Sequence, residues 1–322
     1  MLKNKNILIT GGAGFIGSNL FERLIEEDNF IIIIDNFNDY YSGKEKRFNQ
    51  LTESLQINKD FDLIKGNLIN KNIFKNIEIE IDVIFHLAAQ AGVRYSIENA
   101  LEVSNNNIIS TVNVLEYAIN HSVGKVVNAS SSSVYGNPIY TPVNEEHPKN
   151  PISPYAVSKL CGEQYVDYYS REYELPCSSL RFYTVYGPRG RPDMAIRKFI
   201  NLILDGKEIK IYGDGKQIRD FTYVSDIVDG LILAAENKKA YGEIFNLGCS
   251  DPISVNKLVD KIYKIIDSER NIQYVETKKG DVDATYSDIT KAQEMLNFKP
   301  KIHIDEGLKR TYNWQLKRRE SK

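Results

Sequence analysis

Short apolar runs alternate with longer segments of mixed polarity through the first half of the chain. The runs have the length of strands, and the segments between them place apolar residues every third or fourth position, as in amphipathic helices. In residues 15–27, for example, Ile16, Leu20 and Leu24 recur every fourth residue. This alternation predicts an α/β fold with a doubly wound parallel sheet. The predicted strands are residues 6–10, 30–35, 82–87, 125–130 and 178–183.

Beyond residue 183 the alternation gives way to loops rich in glycine, proline and charge, as in residues 186–193 and 212–217. Apolar segments at 221–224 and 243–247 are typical of strands and predict a return of the chain to the main sheet. We therefore predict a larger domain in residues 1–180, rejoined by about 219–248, and a second, smaller α/β domain in residues 181–322.

The composition excludes several classes of protein. Hydrophobic residues make up 42% of the 322 and charged residues 26%, which is typical of globular proteins. The 41 basic and 43 acidic residues are interspersed, so we expect no nucleic-acid partner. No apolar run approaches roughly 18 residues and no signal-peptide core is present, so we expect no membrane partner and a cytoplasmic location. The three cysteines and four histidines lack ligand spacing, which predicts reduced thiols and no metal.

A group of spaced glycines joins the first predicted strand to the first predicted helix. Gly11 permits a tight turn, Gly14 lets the backbone approach a pyrophosphate, and Gly17 allows close packing of helix on sheet. The free amides at the helix start attract an anion. The motif therefore predicts a dinucleotide site on a Rossmann-type sheet.

An acidic residue, Asp35, ends the next predicted strand 18 residues after Gly17. A carboxylate there accepts hydrogen bonds from the adenosine ribose hydroxyls and repels a 2′-phosphate, which favours NAD over NADP. Lys44 and Arg47 lie further along the chain, and we expect both to be solvated charges.

A tyrosine and a lysine share one face of a predicted helix. Tyr155 and Lys159 are four residues apart, and a cation near a phenol favours the phenolate, which predicts a base usable nearer neutral pH. A run of serines, 130–133, follows the strand at 125–130 and places hydroxyls at a carboxyl strand end, the usual ligand edge of such a sheet. These features predict a base and, near it, a hydroxyl that can hydrogen-bond a substrate oxygen.

At this point the chain resembles the extended short-chain dehydrogenases/reductases, in particular their nucleotide-sugar 4-epimerases. The resemblance covers nearly the whole chain. Its motifs are the glycine group at 11–17, DNFNDYY at 35–41, FHLAAQAG at 85–92, ASSSSVYG at 129–136, YAVSK at 155–159, LRFYTVYGP at 180–188 and RDFTYV at 219–224.

The resemblance implies roles for individual residues. Ser131 is the expected catalytic hydroxyl, Tyr155 the base and Lys159 the contact to the nicotinamide ribose. Asn67 stands where the family commonly has aspartate. The expected NAD contacts are Gly11, Gly14, Phe15, Ile16, Gly17, Asp35, Asn36, Asn38, Asn67, Leu68, Leu87, Ala88, Ala89, Gln90, Asn107, Tyr155, Lys159 and Val185.

Related chemistries differ after the catalytic hydroxyl. The 4,6-dehydratases carry Asp-Glu there and the UDP-glucuronate decarboxylases usually keep a Glu, whereas this chain has Ser132 and Ser133. The resemblance therefore implies 4-epimerisation of a UDP-hexose through a 4-keto sugar. The expected substrate contacts are Arg94, Ser132, Ser133, Thr184, Arg191, Lys210, Ile211, Tyr212, Arg219, Lys278 and Asp281.

The resemblance leaves the sugar open. Residues 35–41, 90–96 and 182–195 look most like UDP-glucuronate 4-epimerases, in which Thr184 or Arg191 would meet the carboxylate. Residues 150–155 and 158–163 also resemble UDP-glucose and UDP-N-acetylglucosamine 4-epimerases, and Thr285 is small where a bulky residue excludes N-acetyl sugars. We rank UDP-glucuronate first.

Two further expectations complete the hypothesis. A non-catalytic NAD-binding sensor of the same fold is an alternative, but such a protein would lack the tyrosine and lysine. Relatives often dimerise through a four-helix bundle, so we expect a homodimer formed by residues 108–119 and 155–173, although the apolar faces of both segments also suit an internal core.

Overall fold

The computed structural model describes residues 2–277, 282 and 284–320. Its strands are β1 (Asn6–Thr10), β2 (Phe30–Asp35), β3 (Phe61–Lys65), β4 (Val83–His86), β5 (Lys125–Ser131), β6 (Cys177–Phe182), β7 (Thr184–Tyr186), β8 (Ile209–Tyr212), β9 (Ile218–Arg219), β10 (Phe221–Tyr223), β11 (Ile244–Leu247), β12 (Ile253–Ser254) and β13 (Ile272–Val275). Its α-helices are α1 (Phe15–Ile25), α2 (Lys44–Leu51), α3 (Val93–Glu98), α4 (Ala100–Ser104), α5 (Ser110–Asn120), α6 (Pro154–Glu172), α7 (Ala195–Leu204), α8 (Val224–Glu236), α9 (Val255–Ile266), α10 (Thr290–Leu296) and α11 (Ile304–Glu320).

The main sheet of the described residues is parallel and has the order β11-β6-β5-β4-β1-β2-β3. Strand order reverses between β1 and β4, and in such a sheet the ligand crevice opens at the carboxyl ends of these strands. The predicted Rossmann-type, doubly wound α/β fold is confirmed.

Both faces of the sheet are buried, which explains the continuous apolar runs. On β2, Ile31 and Ile33 pack into one core, and Ile32 and Ile34 pack into the core on the opposite face. Helix α1 covers the first face with the predicted stripe, which includes Leu20 and Leu24, whereas α5 and α6 cover the second.

Two strands differ from the sequence prediction. Strand β3 was not predicted, because the charged Asp62 and Lys65 interrupt its short apolar pattern; it lies at the sheet edge, where charges are common. Strand β10 was expected in the main sheet but pairs with β7 in a separate two-stranded sheet, whereas β11 does lie beside β6. Two further small sheets, β8 with β13 and β9 with β12, lie beyond this point.

Membrane insertion has no candidate segment in the described part of the chain. None of its helices combines the length and the apolar character needed to cross a bilayer.

Candidate active site

A cavity of about 1030 Å³ lies at the carboxyl ends of the main-sheet strands. It brings together most of the residues that the sequence singles out. Its walls include Gly11, Gly14, Phe15, Ile16, Gly17, Asp35, Asn36, Asn38, Asn67, Leu68, Leu87, Ala88, Ala89, Gln90, Arg94, Ser131, Ser132, Ser133, Tyr155, Lys159, Thr184, Val185, Arg191, Lys210, Ile211, Tyr212 and Arg219. Lys278 and Asp281 lie outside the described residues.

The glycine turn between β1 and α1 leaves room for a phosphate group. Gly11 has a φ of +71°, and a Cβ there would lie 2.8 Å from the backbone of Ala88. A Cβ on Gly17 would lie 2.3 Å from the carbonyl oxygen of Gly11. Helix α1 begins at Phe15 and presents its amides to the same space. The cradle therefore fits the pyrophosphate of a dinucleotide.

The carboxylate of Asp35 is held at the end of β2. It accepts hydrogen bonds from the amides of Ala13 (3.1 Å) and Phe37 (2.8 Å). Burial raises its pKa, and Lys44, whose Nζ is 3.9 Å from Oδ1, partly opposes that rise. Both carboxylate oxygens are thus positioned by the backbone beside the cavity.

The expectation that Lys44 is a solvated charge is wrong. Lys44 is only 8% exposed, lines the cavity and donates a 2.7 Å hydrogen bond to Oδ1 of Asn38. Arg47 is also partly buried, with its guanidinium 5.3 Å from the centre of the Tyr41 ring. Helix α2 begins at Lys44, and the loop after β2 brings this lysine to Asp35.

Asn107 does not line the cavity, contrary to expectation. It is buried behind the wall, where Oδ1 accepts a 2.7 Å hydrogen bond from the amide of Gln90 and Nδ2 donates to Oγ of Ser158 at 2.9 Å. The side-chain amide of Asn107 therefore holds the loop after β4 from the side that faces away from the cavity. Asn67 does reach the cavity, with its side-chain oxygen accepting a 3.0 Å bond from the amide of Ile69.

A buried histidine holds the same loop. His86 contacts Oγ1 of Thr10 through Nδ1 (2.8 Å) and Oγ1 of Thr111 through Nε2 (3.0 Å). Thr10 also accepts a hydrogen bond from the amide of Ala88, at 3.3 Å. Burial, aided by Lys159, lowers the pKa of His86 to about 3, so the ring is neutral and acts as a bridge between β1, β4 and α5.

Helix α6 carries the tyrosine and the lysine, and its start is encoded locally. Ser153 caps the helix by accepting a 3.2 Å hydrogen bond from the amide of Ala156, and Pro154 occupies the first helical position. One turn apart on α6, Tyr155 and Lys159 both reach the cavity. Lys159 donates a 2.7 Å hydrogen bond to the carbonyl oxygen of Ala129.

The hydroxyl of Ser131 stands at the centre of a small hydrogen-bond group. Its Oγ accepts bonds from Oγ of Ser133 (2.9 Å) and from the amide of Ser133 (3.2 Å), and it is hydrogen-bonded to the side chain of Tyr155. A phenol and a serine hydroxyl joined in this way are equipped to exchange a proton with a substrate hydroxyl.

The charges beside Tyr155 act differently from the sequence hypothesis. Burial raises the pKa of Tyr155, while Arg191 and the hydrogen bond with Ser131 oppose the rise. Burial outweighs these groups, so the predicted fall towards neutral pH caused by a nearby cation is wrong for this arrangement. Lys159 itself has a pKa lowered to about 8 by burial, with Glu163 opposing the change.

A second part of the cavity wall, called here the cationic wall, carries Arg94 and Arg191. The guanidinium of Arg191 forms a two-pronged ion pair with Asp193, with N–O distances of 3.0 and 2.9 Å. Tyr40 donates to Asp193 at 3.3 Å, so residues from the loop after β2 meet the loop before α7. The guanidinium of Arg94 lies 4.7 Å from the ring centre of Tyr212.

Sequence reasoning missed several residues of the cavity wall. Tyr40 lies within the recognised motif at 35–41 and Asp193 within the recognised segment 182–195, so membership of those motifs was the signal available. Lys198 on α7 and Gln217 before β9 carried no such signal, because only the fold brings those segments to the cavity.

Comparisons with known proteins agree with this geometry. A family described as GDP-mannose 4,6 dehydratase matches residues 8–311. A UDP-glucuronate 4-epimerase of Thermodesulfobacterium geofontis is 42% identical over 314 residues, which cover 95% of each protein. A putative UDP-glucose 4-epimerase of Methanocaldococcus jannaschii is 40% identical over 312 residues, 96% of this chain and 97% of the relative. The crystal structure of UDP-glucuronic acid 4-epimerase from Bacillus cereus, in complex with UDP-glucuronic acid and NAD, has a TM-score of 0.89 at 34% identity, covering 97% of this chain and 99% of that one.

Proposed function

The chain belongs to the GDP-mannose 4,6 dehydratase family, and from this premise we propose that it is an NAD-dependent UDP-sugar 4-epimerase that prefers UDP-glucuronate. The glycine cradle and Asp35 suit the phosphates and the adenosine ribose of NAD. In this proposal residues 1–180 bind NAD and most of 181–322 binds the UDP-sugar.

The chain's own residues handle the proton of the sugar 4-hydroxyl. In its phenolate form, which Arg191 and the hydrogen bond with Ser131 favour against burial, Tyr155 takes that proton and later returns it, while Ser131 orients the hydroxyl. Lys159, fixed to the carbonyl of Ala129, binds the nicotinamide ribose. When bound, NAD would supply both the acceptor and the donor of the C4 hydride, so that no external oxidant would be consumed.

The positions of the carboxylates in the cavity are the observation that favours epimerisation over elimination. Among the described residues that line the cavity, only Asp35 and Asp193 are acidic. Asp35 accepts hydrogen bonds from backbone amides in the turns after β1 and β2, and Asp193 is paired with Arg191. A dehydratase needs an acid and a base beside C5 and C6, but Ser132 and Ser133 occupy the corresponding turn.

The cationic wall supports an acidic sugar. Arg191 is close enough to Tyr155 to oppose the rise in the pKa of that phenol, so its charge lies near the reacting end of the cavity. Thr184, at the start of β7, adds a hydroxyl to the same wall. A carboxylate at C6 of the sugar matches this pair. The second candidate is UDP-glucose or UDP-N-acetylglucosamine, which the small Thr285 at the cavity wall favours.

We also propose a homodimer in the cytoplasm. Large apolar side chains stay exposed on neighbouring helices: Leu101 on α4 is 76% exposed, and Val157 on α6 is 50% exposed. Tyr165 and Tyr168 continue the α6 stripe at helical spacing. The cysteines Cys161, Cys177 and Cys249 are all free, which suits a reducing compartment. Sedimentation velocity of wild type and Leu101→Lys tests the dimer.

The function is tested by incubating the protein separately with UDP-glucuronate, UDP-glucose and UDP-N-acetylglucosamine and following inversion at C4 by proton NMR. We expect UDP-glucuronate to be converted fastest, and Tyr155→Phe to be inactive. Faster turnover of a neutral or N-acetyl sugar would leave the epimerase proposal standing and overturn the preference. Formation of a pentose or a deoxy-keto sugar in place of a C4 epimer would overturn the proposal itself.

A further inference from the structure

A buried ion pair lies directly behind the catalytic helix. Glu163 on α6 and Arg181 on β6 are each 1% exposed. The guanidinium of Arg181 donates to both carboxylate oxygens of Glu163, with Nε to Oε1 at 2.9 Å and Nη2 to Oε2 at 2.7 Å. Arg181 also donates through Nη1 to the hydroxyl of Tyr135 (2.7 Å) and to the carbonyl of Glu145 (3.1 Å). The carboxylate is thus held in one orientation.

The pair is connected to the reacting residues in two ways. Glu163 follows Lys159 by four residues, so both side chains lie on the same face of α6. On β5, the carbonyl of Ala129 accepts the hydrogen bond from Lys159, and the hydroxyl of the next residue, Ser130, donates to Glu163. Ser131 follows immediately, so these two bonds fix the strand end that carries it.

We propose that Glu163 is a positioning residue: held by Arg181, its carboxylate keeps Lys159 a cation and aligns α6 with the strand end that carries Ser131. The inference rests on the proposed function, in which Lys159 binds the nicotinamide ribose. Removing this carboxylate leaves Lys159 with desolvation and no nearby negative charge, and the ammonium then loses its proton at a lower pH.

The charged groups around Lys159 support this assignment. Tyr155 and Glu163 share α6 with it, His86 faces it from β4 as a neutral ring, and Arg181 on β6 holds Glu163. Glu163 is the group that opposes the effect of burial on Lys159 and keeps its pKa near about 8. Lys159 is charged below that pH and neutral above it. Its binding to the ribose therefore weakens as the pH rises.

A lysine titration and a rate profile test the proposal together. In protein labelled with ¹³C at lysine, the NMR signal of Lys159, assigned with Lys159→Met, gives its protonation midpoint without any substrate. We expect Glu163→Gln to lower that midpoint by about one pH unit. The kcat for epimerisation then falls about fivefold at the wild-type midpoint, about tenfold well above it, and much less at lower pH.

Two variants distinguish the loss of the Glu163 charge from general damage to the packing. Glu163→Asp keeps the charge, and we expect its midpoint to stay near that of wild type. The double variant Glu163→Gln/Arg181→Met removes both charges and so leaves no lone buried arginine; we expect it to fold and to show a lowered midpoint. Asp226→Asn is the matched control, because Asp226 is a carboxylate of equal burial that binds the amides of Lys301 and Ile302 away from the cavity.

An unchanged Lys159 midpoint in folded Glu163→Gln or in the double variant overturns the proposal. So does a loss of kcat that is equal at every pH, because that pattern reports only damaged packing. Failure of every UDP-sugar to react, with the midpoint still lowered, would instead overturn the proposed function and leave the role of Glu163 intact.

Discussion

Two arginine–carboxylate pairs lie near the cavity, and their surroundings are opposite. The Arg181–Glu163 side chains are 1% and 0% exposed, whereas those of Arg191–Asp193 are 21% and 45% exposed. The first pair joins helix α6 to strand β6 of the main sheet, and the second lies within one loop at the cavity wall. A buried pair cannot exchange its partner for water or ligand without a large desolvation cost, but a pair at the wall can. The same chemistry therefore fixes one region and stays available for substrate in the other.

Arg181→Met should have the largest effect on stability. It leaves the carboxylate of Glu163 buried and uncompensated, which is expected to lower the free energy of unfolding by about 3–5 kcal/mol. Urea denaturation followed by circular dichroism measures the change. Adding Glu163→Gln should recover most of the loss, and a drop below about 1 kcal/mol in the single variant would contradict the contrast between the pairs.

Arg191→Met should change catalysis more than stability. Loss of a charge-assisted contact with the sugar carboxylate is expected to reduce kcat/KM for UDP-glucuronate about 100-fold, and to change that for UDP-glucose far less. The melting temperature should move by only about 2 °C, because partly exposed pairs contribute little. Equal losses for the acidic and the neutral sugar would show that Arg191 does not recognise the carboxylate.

Asp193→Asn should have a smaller effect of opposite sign. Burial acts to raise the pKa of Asp193, but the bonds from Arg191 hold it below its ordinary value, so the pair persists at neutral pH. In this variant Arg191 no longer pairs with a carboxylate and is available to the substrate. We therefore expect kcat/KM for UDP-glucuronate to rise about threefold to tenfold. Steady-state kinetics measure it, with Asp205→Asn as a control, because Asp205 pairs with Arg319 2.9 Å away, outside the cavity wall. No gain would mean that the ion pair does not compete with substrate.

Lys125 is buried, and its Nζ has no hydrogen-bond partner among the residues that the structure describes. The Nζ lies 4.0 Å from the ring centre of Tyr241, and burial lowers the pKa of Lys125 to about 7. Between that pH and its ordinary value the unfolded chain binds more protons, so this residue makes stability rise with pH across that window. Lys125→Met should flatten the rise and increase the melting temperature at pH 7 by about 2 °C. An unchanged pH dependence of the melting temperature would contradict this reading.

The sequence anticipated the fold where the burial pattern is simple. Strands β1 and β2 begin and end at the predicted residues, because a parallel strand covered on both faces is an unbroken apolar run. Strand β3 was missed at the sheet edge, where charge replaces that pattern. The pairing of β10 with β7 depends on contacts between distant segments, which local periodicity does not contain.

In the candidate active site, too, local sequence pattern predicted some features and only the packing of distant segments decided others. The motifs indicated which residues reach the cavity, since Gly11, Asp35, Ser131 and Tyr155 all follow or open predicted elements. Burial of individual polar side chains was not visible in the pattern. Lys44 was expected in solvent and Asn107 at the cavity wall, and the packing of the loop after β2 and of residues 105–109 reversed both expectations.

What the sequence by itself determined was the alternation of strand and helix, the glycine turn and the spacing of Tyr155 and Lys159, because each depends on neighbours within a few turns of chain. Only the tertiary structure decided which charges meet. Glu163 and Arg181 are 18 residues apart on different elements, and Tyr40 and Asp193 are 153 apart. The strength of such pairs depends on burial and on distance between atoms, and both are properties of the folded chain.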